Sequence, residues 1–505
     1  MSTFPNRDRQ RVLSTVLALF VAVLWGASAH ATTVTPSDAV TTYVVVRAQP
    51  STQSAKAGEF ALGDQAEVLE SVPHWLKVQL VNGTVGYVNK RWVTEVEAPS
   101  PSGGGSPEPT PPTGATAPEP LLAAGHPVNW WFVFKLNAAK FAECGSGVTR
   151  QCPFGGEVQS YGSAFGQQYV YATSESPALK KGAGCVGDTD ADPVGATFGQ
   201  VYNGSFHYVV WNDQFYNDPA VAGCGQSCSK PWGHSKGMVA WNDTSEGFVM
   251  QVTTPSWPAS GNKTDPRESD GNTLGCITNN NVKFSQHFFA LRLNHDDLLA
   301  VLKSLQNASV VTDHDNPQIV HNGGAQEVQA LVNALGTKSQ STTATTATLS
   351  TGIQVISKPS LLHVPPWQMV SALLGGVPLR VATWWNASKI NTTTATTSIG
   401  CWDNALGTAG PVEIATTGRW DGTSFGLRGG IPSGDANHAK IGVSTSGSHH
   451  YAIFGDMNQE GALSGNESVC GGSQNGRGGL FFVVDNATLA TSVSDLIHGE
   501  TAPPQ

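Results

Sequence analysis

Residues 231–242 read Pro-Trp-Gly-His-Ser-Lys-Gly-Met-Val-Ala-Trp-Asn. His234 and Lys236 stand two apart and open an apolar run. On a β-strand such residues face the same side, so an imidazole and an ammonium would share one cationic surface. That pairing suits a phosphate diester, with the imidazole as nucleophile or proton carrier and the ammonium as fixed counter-charge. One His-x-Lys occurs by chance in many chains. A second, His438-Ala439-Lys440, gives it weight.

The surroundings of the two motifs repeat. After His234 come a turn-like stretch, 242–247, and an apolar segment from Gly247; after His438 come 446–448 and a segment from His450. The motif histidine lies 13 residues before the return segment in one half and 12 in the other. Double-tryptophan segments, Trp130-Trp131 and Trp384-Trp385, stand before each motif, so they are read as equivalent strands. Helices are expected over 296–305 with Asn294 as cap, over 328–335, and over 487–497. The threonine-rich runs 341–351 and 391–398 read as loops. Strands interleaved with helices imply an α/β fold, a sheet with helices on its faces.

Arg7, Arg9 and Arg11 precede a short apolar stretch, and Ala29-His30-Ala31 offers a cleavage site, so 1–31 reads as a signal peptide. No later stretch is apolar enough for a membrane span, and a secreted or periplasmic location is expected. Eight cysteines in an oxidising compartment then favour disulfides, with 105 possible pairings. Cys224, Cys228 and His234 could begin a zinc site, but no second ligand pair of suitable spacing follows. Neither metal nor cofactor is expected.

Segment 42–97 has short strand candidates with a central Trp75-Leu-Lys-Val-Gln-Leu80 and Gly86-Tyr-Val88 near its end. It resembles a bacterial Src-homology-3-like barrel, which implies a cell-wall or other extracellular ligand. Residues 98–120 are a Pro/Gly/Ser linker. The rest divides into halves at 121–345 and 346–498.

The net charge is −10, and removing 1–31 takes it to −12. That opposes nucleic-acid binding at neutral pH. Protonating the remaining thirteen histidines would bring it to +1, so a polyanion becomes acceptable only in acid.

The segments Pro-Val-Asn-Trp-Trp-Phe-Val-Phe-Lys-Leu (127–136), Tyr-Val-Val-Trp-Asn-Asp (208–213), Gly-His-Ser-Lys-Gly (233–237) and Gly-Phe-Val-Met-Gln-Val-Thr-Thr-Pro-Ser-Trp-Pro (247–258) share a pattern with His-Ala-Lys (438–440), Gly-Asp-Met-Asn (455–458) and Arg-Gly-Gly (477–479). Over about 126–498 the chain resembles the deoxyribonuclease II family of the phospholipase D superfamily. The resemblance implies two pseudo-symmetric αβα sandwich halves sharing one site. It also implies a metal-independent acid endonuclease that leaves 3′-phosphate and 5′-hydroxyl ends on DNA. His234 and His438 would be nucleophile and general acid/base, Lys236 and Lys440 phosphate ligands, and Asn458 and, more weakly, Thr253 substrate contacts. Trp241 and Thr445 stand where the wider superfamily has a carboxylate, and Ile441 where this branch has a bulkier residue. Two alternatives stay open: a phosphodiesterase for lipid or another diester, and an inactive cell-envelope binding protein. Lys135 and Arg477 read either as groove-lining or as solvated charges.

Overall fold

The strand Tyr43–Arg47 buries Val44 and Val46 and turns the residues between them outward, the period-two pattern of a sheet with one wet face. The computed structural model describes residues 33–96, apart from 38–39, 41, 52–53, 63, 73–74 and 81–82, and residues 116–505, apart from 142–150, 159–166, 279–280 and 431–435. The expected signal peptide, 98–115 of the linker, Asn82 of the expected hairpin turn and Cys144 lie outside the described residues. The chain divides into two compact units at residues 110/111.

The first unit is all β. Strands β1 (Thr33–Pro36), β2 (Tyr43–Arg47), β3 (Lys56–Ala61), β4 (Ala66–Val72), β5 (Trp75–Leu80), β6 (Val85–Asn89) and β7 (Val93–Val96) lie in the order β3-β2-β6-β5-β4-β1-β7. Val46, Phe60, Val78 and Val88 are at the centre of its small core. The order does not close on itself, so the expected small barrel is an open half-barrel.

Among its described residues the second unit holds two large sheets and one two-stranded hairpin. The first contains β8 (Trp130–Lys135), β9 (Tyr169–Thr173), β10 (Lys180–Lys181), β11 (His207–Asn212), β12 (Lys236–Trp241), β13 (Gly247–Val252), β14 (Gln286–Leu293) and β15 (Val320–His321), ordered β10-β9-β8-β14-β13-β12-β11-β15. The second contains β16 (Thr345–Thr348), β17 (Gln354–Lys358), β18 (Leu379–Ala382), β19 (Val412–Ile414), and, after the separate hairpin β20 (Thr417–Trp420) and β21 (Thr423–Gly426), β22 (Ile441–Ser444), β23 (Tyr451–Gly455) and β24 (Gly479–Asp485). Its order is β16-β17-β24-β23-β22-β18-β19. Among the described residues six helices accompany them: α1 (Pro193–Tyr202), α2 (His295–Asn307), α3 (Gln326–Asn333), α4 (Pro366–Leu373), α5 (Glu467–Cys470) and α6 (Ala487–Leu496).

The α/β expectation needs correction here. The unit is mixed but rich in sheet and poor in helix, and among the described residues its strands pair antiparallel except β18 with β19. Short turns return consecutive strands beside each other, as β12 to β13 does through Asn242, whose side-chain oxygen accepts from the amides of Thr244 and Glu246. The cap of α2 is as expected: Asn294 and Asp297 form a reciprocal capping box.

Two other expectations fail. Thr345–Thr348 is a strand, not a loop; as an edge strand with little burial it needs no apolar pattern, only β-branched residues. The tryptophan-pair equivalence is also wrong, because β18 ends before Trp384. It lies beside β22 as β11 lies beside β12, so β11 is its counterpart and β17 is that of β8.

An aromatic stack joins the two sheets. Phe454 stacks on Phe132 at 4.2 Å and on Phe289 at 4.8 Å, and Phe289 meets Phe482 at 5.5 Å. Helix α2 touches strands of both sheets. The disulfides Cys152–Cys276, Cys224–Cys228 and Cys401–Cys470 each stay within one half, and the second removes the zinc reading. Packing at the stack should therefore decide whether the halves stay joined. Phe454→Ala is expected to cost about 3–5 kcal/mol in urea denaturation; a cost below about 1 kcal/mol would show the stack to be peripheral.

Candidate active site

Both motif lysines are buried, each 3 % exposed, whereas both motif histidines keep an open part. The histidines are not on strands, as expected, but just before them. Strand β12 starts at Lys236 and β22 starts one residue after Lys440.

That position frees each histidine amide to bond elsewhere, and both bond to the opposite half. His234 N–H donates to Gly478 O at 2.8 Å, and His438 N–H donates to Ser285 O at 2.7 Å. Gly478 and Ser285 are equivalent: each immediately precedes a central strand, β24 or β14. A side chain at 478 would strike Ala308 O at 2.0 Å, which accounts for the glycine.

The rings are held differently. His234 Nδ1 lies 2.9 Å from Asp456 O; a carbonyl only accepts, so Nδ1 carries the proton and Nε2 keeps its lone pair when the ring is neutral. His438 Nδ1 lies 3.4 Å from Gln286 Nε2, an amide nitrogen that only donates, so its neutral form carries the proton on Nε2. The His438 ring also packs against the stacked pair of Phe284, at 4.7 Å, and Trp384, at 4.6 Å.

Charged groups fill the other side. Asp213, directly after β11, bonds Lys236 Nζ at 2.5 Å and Arg477 Nη2 at 2.8 Å. Arg477 also donates to Trp232 O and Gly233 O, so the second half grips the segment that carries His234. By register, Asp213 and Trp384 are equivalent, as are Arg477 and Phe284: an ion pair flanks one imidazole where an aromatic pair flanks the other.

The remaining candidates are less direct. Thr253 is buried, and its hydroxyl donates to Gln286 Oε1 at 2.7 Å, one bond behind His438. Its counterpart is Asp456 rather than Asn458: both follow the return strand and bond the second residue of the adjacent strand, His287 or Leu480. Asn458 is buried with its amide nitrogen 3.3 Å from Glu460, and its Oδ1 has no partner among the described residues. Neither Lys135 nor Arg477 is a solvated charge. Lys135 and Lys358, ending β8 and β17, are buried equivalents whose ammoniums hold main-chain carbonyls, Lys358 at Asn475 O and Arg477 O.

The electrostatics follow. Burial first, then Lys236, pulls His234 well below the ordinary histidine range, and Asp213 opposes this. Burial and then Lys440 and Lys236 do the same to His438. Lys236, Lys440 and Asp213 act on both rings. Burial and Lys236 push the Lys440 ammonium down to about 7, and burial pushes the Asp456 carboxyl up to about 7. Burial works against ionised Asp213, but Lys236 and Arg477 hold its carboxyl below the usual carboxylate range.

A family model described as Deoxyribonuclease II matches residues 120–499, and one described as Bacterial SH3 domain matches residues 42–94. No curated protein matches the chain.

Asp213→Asn would leave Lys236 and Arg477 buried without their counter-charge, and a loss of about 3–5 kcal/mol is expected. With its folded pKa depressed, Asp213 stabilises the fold above about pH 3.9 and ceases to do so only as pH falls further. Urea denaturation should therefore show similar losses at pH 5 and pH 7; a loss confined to pH 7 would contradict the assignment. Asp456 has the opposite sign. Its folded pKa is raised, so it costs stability as pH rises from about 4 to 7, and Asp456→Asn should flatten that decline.

Proposed function

Because the chain belongs to the deoxyribonuclease II family, we propose that it hydrolyses DNA phosphodiesters in acid, without a metal ion, through a phosphohistidine on His234. The observation that carries this reading is the opposite engagement of the two Nδ1 atoms. His234 presents a lone pair on Nε2, and His438 presents a proton there.

His234 Nε2 attacks phosphorus and the bond to the 5′-oxygen breaks, while protonated His438 gives its Nε2 proton to that oxygen. The 5′-hydroxyl strand leaves. His438, left with its proton on Nδ1 and a lone pair on Nε2, then takes a proton from water, whose oxygen attacks phosphorus and breaks the P–N bond, releasing a 3′-phosphate and His234. Lys236 and Lys440 supply positive charge to the equatorial oxygens. Asn458 would contact phosphate by exchanging its bond to Glu460, and Thr253 acts through Gln286. The two sheets would then correspond to phospholipase D-like halves. Asp213 favours the charge that the His234 ring gains on attack, and Lys236 opposes it.

Acid is required twice. His438 must be protonated although its surroundings disfavour that, and Lys440 is a cation only below about pH 7. A chain with net charge −12 after residue 31 also meets a polyanion more readily once its histidines are charged. Three disulfides fit an exported protein, and among the described residues no helix is long and apolar enough to cross a membrane. We take 1–31 as its signal peptide and the 42–94 module as a binder of a cell-wall or other extracellular ligand.

Plasmid DNA at pH 5 with EDTA is expected to be cut to 3′-phosphate ends. His234→Ala and His438→Ala should each lower the rate at least ~10³-fold with unchanged circular dichroism. Full activity in either variant would end the two-histidine reading; cleavage of a lipid diester but not plasmid would redirect the substrate. The rate should also fall as pH rises, with the alkaline limb centred below the ordinary histidine value of about 6.5. A limb above pH 8 would contradict it.

A further inference from the structure

Gln286 opens β14 opposite Lys135 and is 1 % exposed. Its amide touches His438 on one side and Thr253 on the other. The orientation of that amide decides which nitrogen of His438 holds a proton, and Thr253 decides the orientation. The His287 amide donates to Thr253 Oγ1 at 2.9 Å, which occupies one lone pair there. The hydroxyl proton has two acceptors, Gln286 Oε1 at 2.7 Å and His287 O at 3.2 Å, and the shorter bond takes it. Gln286 Oε1 is thereby turned toward Thr253 and its NH2 toward His438 Nδ1.

A donor facing Nδ1 suits neutral His438 but opposes the imidazolium, in which Nδ1 also carries a proton. Charging the ring then requires the amide to turn and give up the Thr253 bond. The other charges acting on the ring are Lys440 on its own segment, Lys236 of β12, Asp213 after β11 and Lys135 of β8; Phe284 and Trp384 bring none. We propose that Gln286, held by Thr253, is a positioning residue that keeps neutral His438 in its Nε2–H form and moves the alkaline limb of the reaction to lower pH. This rests on the nuclease reading for its kinetic part only.

The test uses the full chain labelled with ¹⁵N-histidine. In the wild type, neutral His438, identified by loss of its signals in His438→Ala, should be protonated at Nε2. In Gln286→Glu an acceptor faces Nδ1, so the proton should move to Nδ1. The alkaline limb should rise by about one pH unit, a roughly tenfold gain in relative rate above the wild-type midpoint. Thr253→Val, which frees the amide to turn, should give a mixture of both tautomers. A wild-type Nδ1–H form, or a Gln286→Glu variant that loses rate equally at every pH with its tautomer unchanged, would overturn the proposal. If the wild type cut no DNA, the nuclease reading would fail while the tautomer measurement still decided the role of Gln286.

Discussion

Two main-chain hydrogen bonds hold the site together: the amide of each motif histidine donates to a carbonyl at the mouth of the opposite half's central strand. Neither half alone can fix its own histidine. The sheets must dock in one register, which the stack of Phe132, Phe289, Phe454 and Phe482 provides. Flexible side chains could not fix two rings with such economy. Backbone bonds can, because each costs little ordering beyond that already imposed by the strand it adjoins.

Corresponding strands of the two sheets carry two unlike environments. At equivalent positions one half supplies Asp213 and the other Trp384, while Arg477 answers Phe284. A carboxylate shared by Lys236 and Arg477 makes three buried charges tolerable around His234, whereas His438 has an aromatic pair and a neutral amide. Burying Lys440 beside Lys236 is costly, and the ammonium's displacement to about 7 records it. Such a site gains its full positive charge only in acid, which is also where the acidic chain least repels a polyanion.

The sequence made the chemistry legible where it was local. The His-x-Lys pairs, the return strands behind them and the Asn294 cap can all be read within a dozen residues. What escaped depends on distance or on partnership. Arg477 meets Asp213 across 264 positions, and nothing in either neighbourhood announces it. The double tryptophans misled because apolar composition is shared by a buried strand and by a ring packed beyond its end. Thr345–Thr348 went unseen because an edge strand buries too little to show a pattern. Placing the histidines on strands was wrong by two and three residues, and that offset is what frees their amides for the cross-half bonds.

The proposed cleavage requires both imidazoles to share one phosphorus. A crystal structure with orthovanadate, which takes up the five-coordinate geometry of the transferring phosphoryl group, tests that most directly. One vanadium should be found bonded to His234 Nε2, with His438 Nε2 near the opposite apical oxygen and both lysine ammoniums at the equatorial ones. Vanadate bound to a single histidine with the other turned away, or separate ions at the two rings, would contradict it.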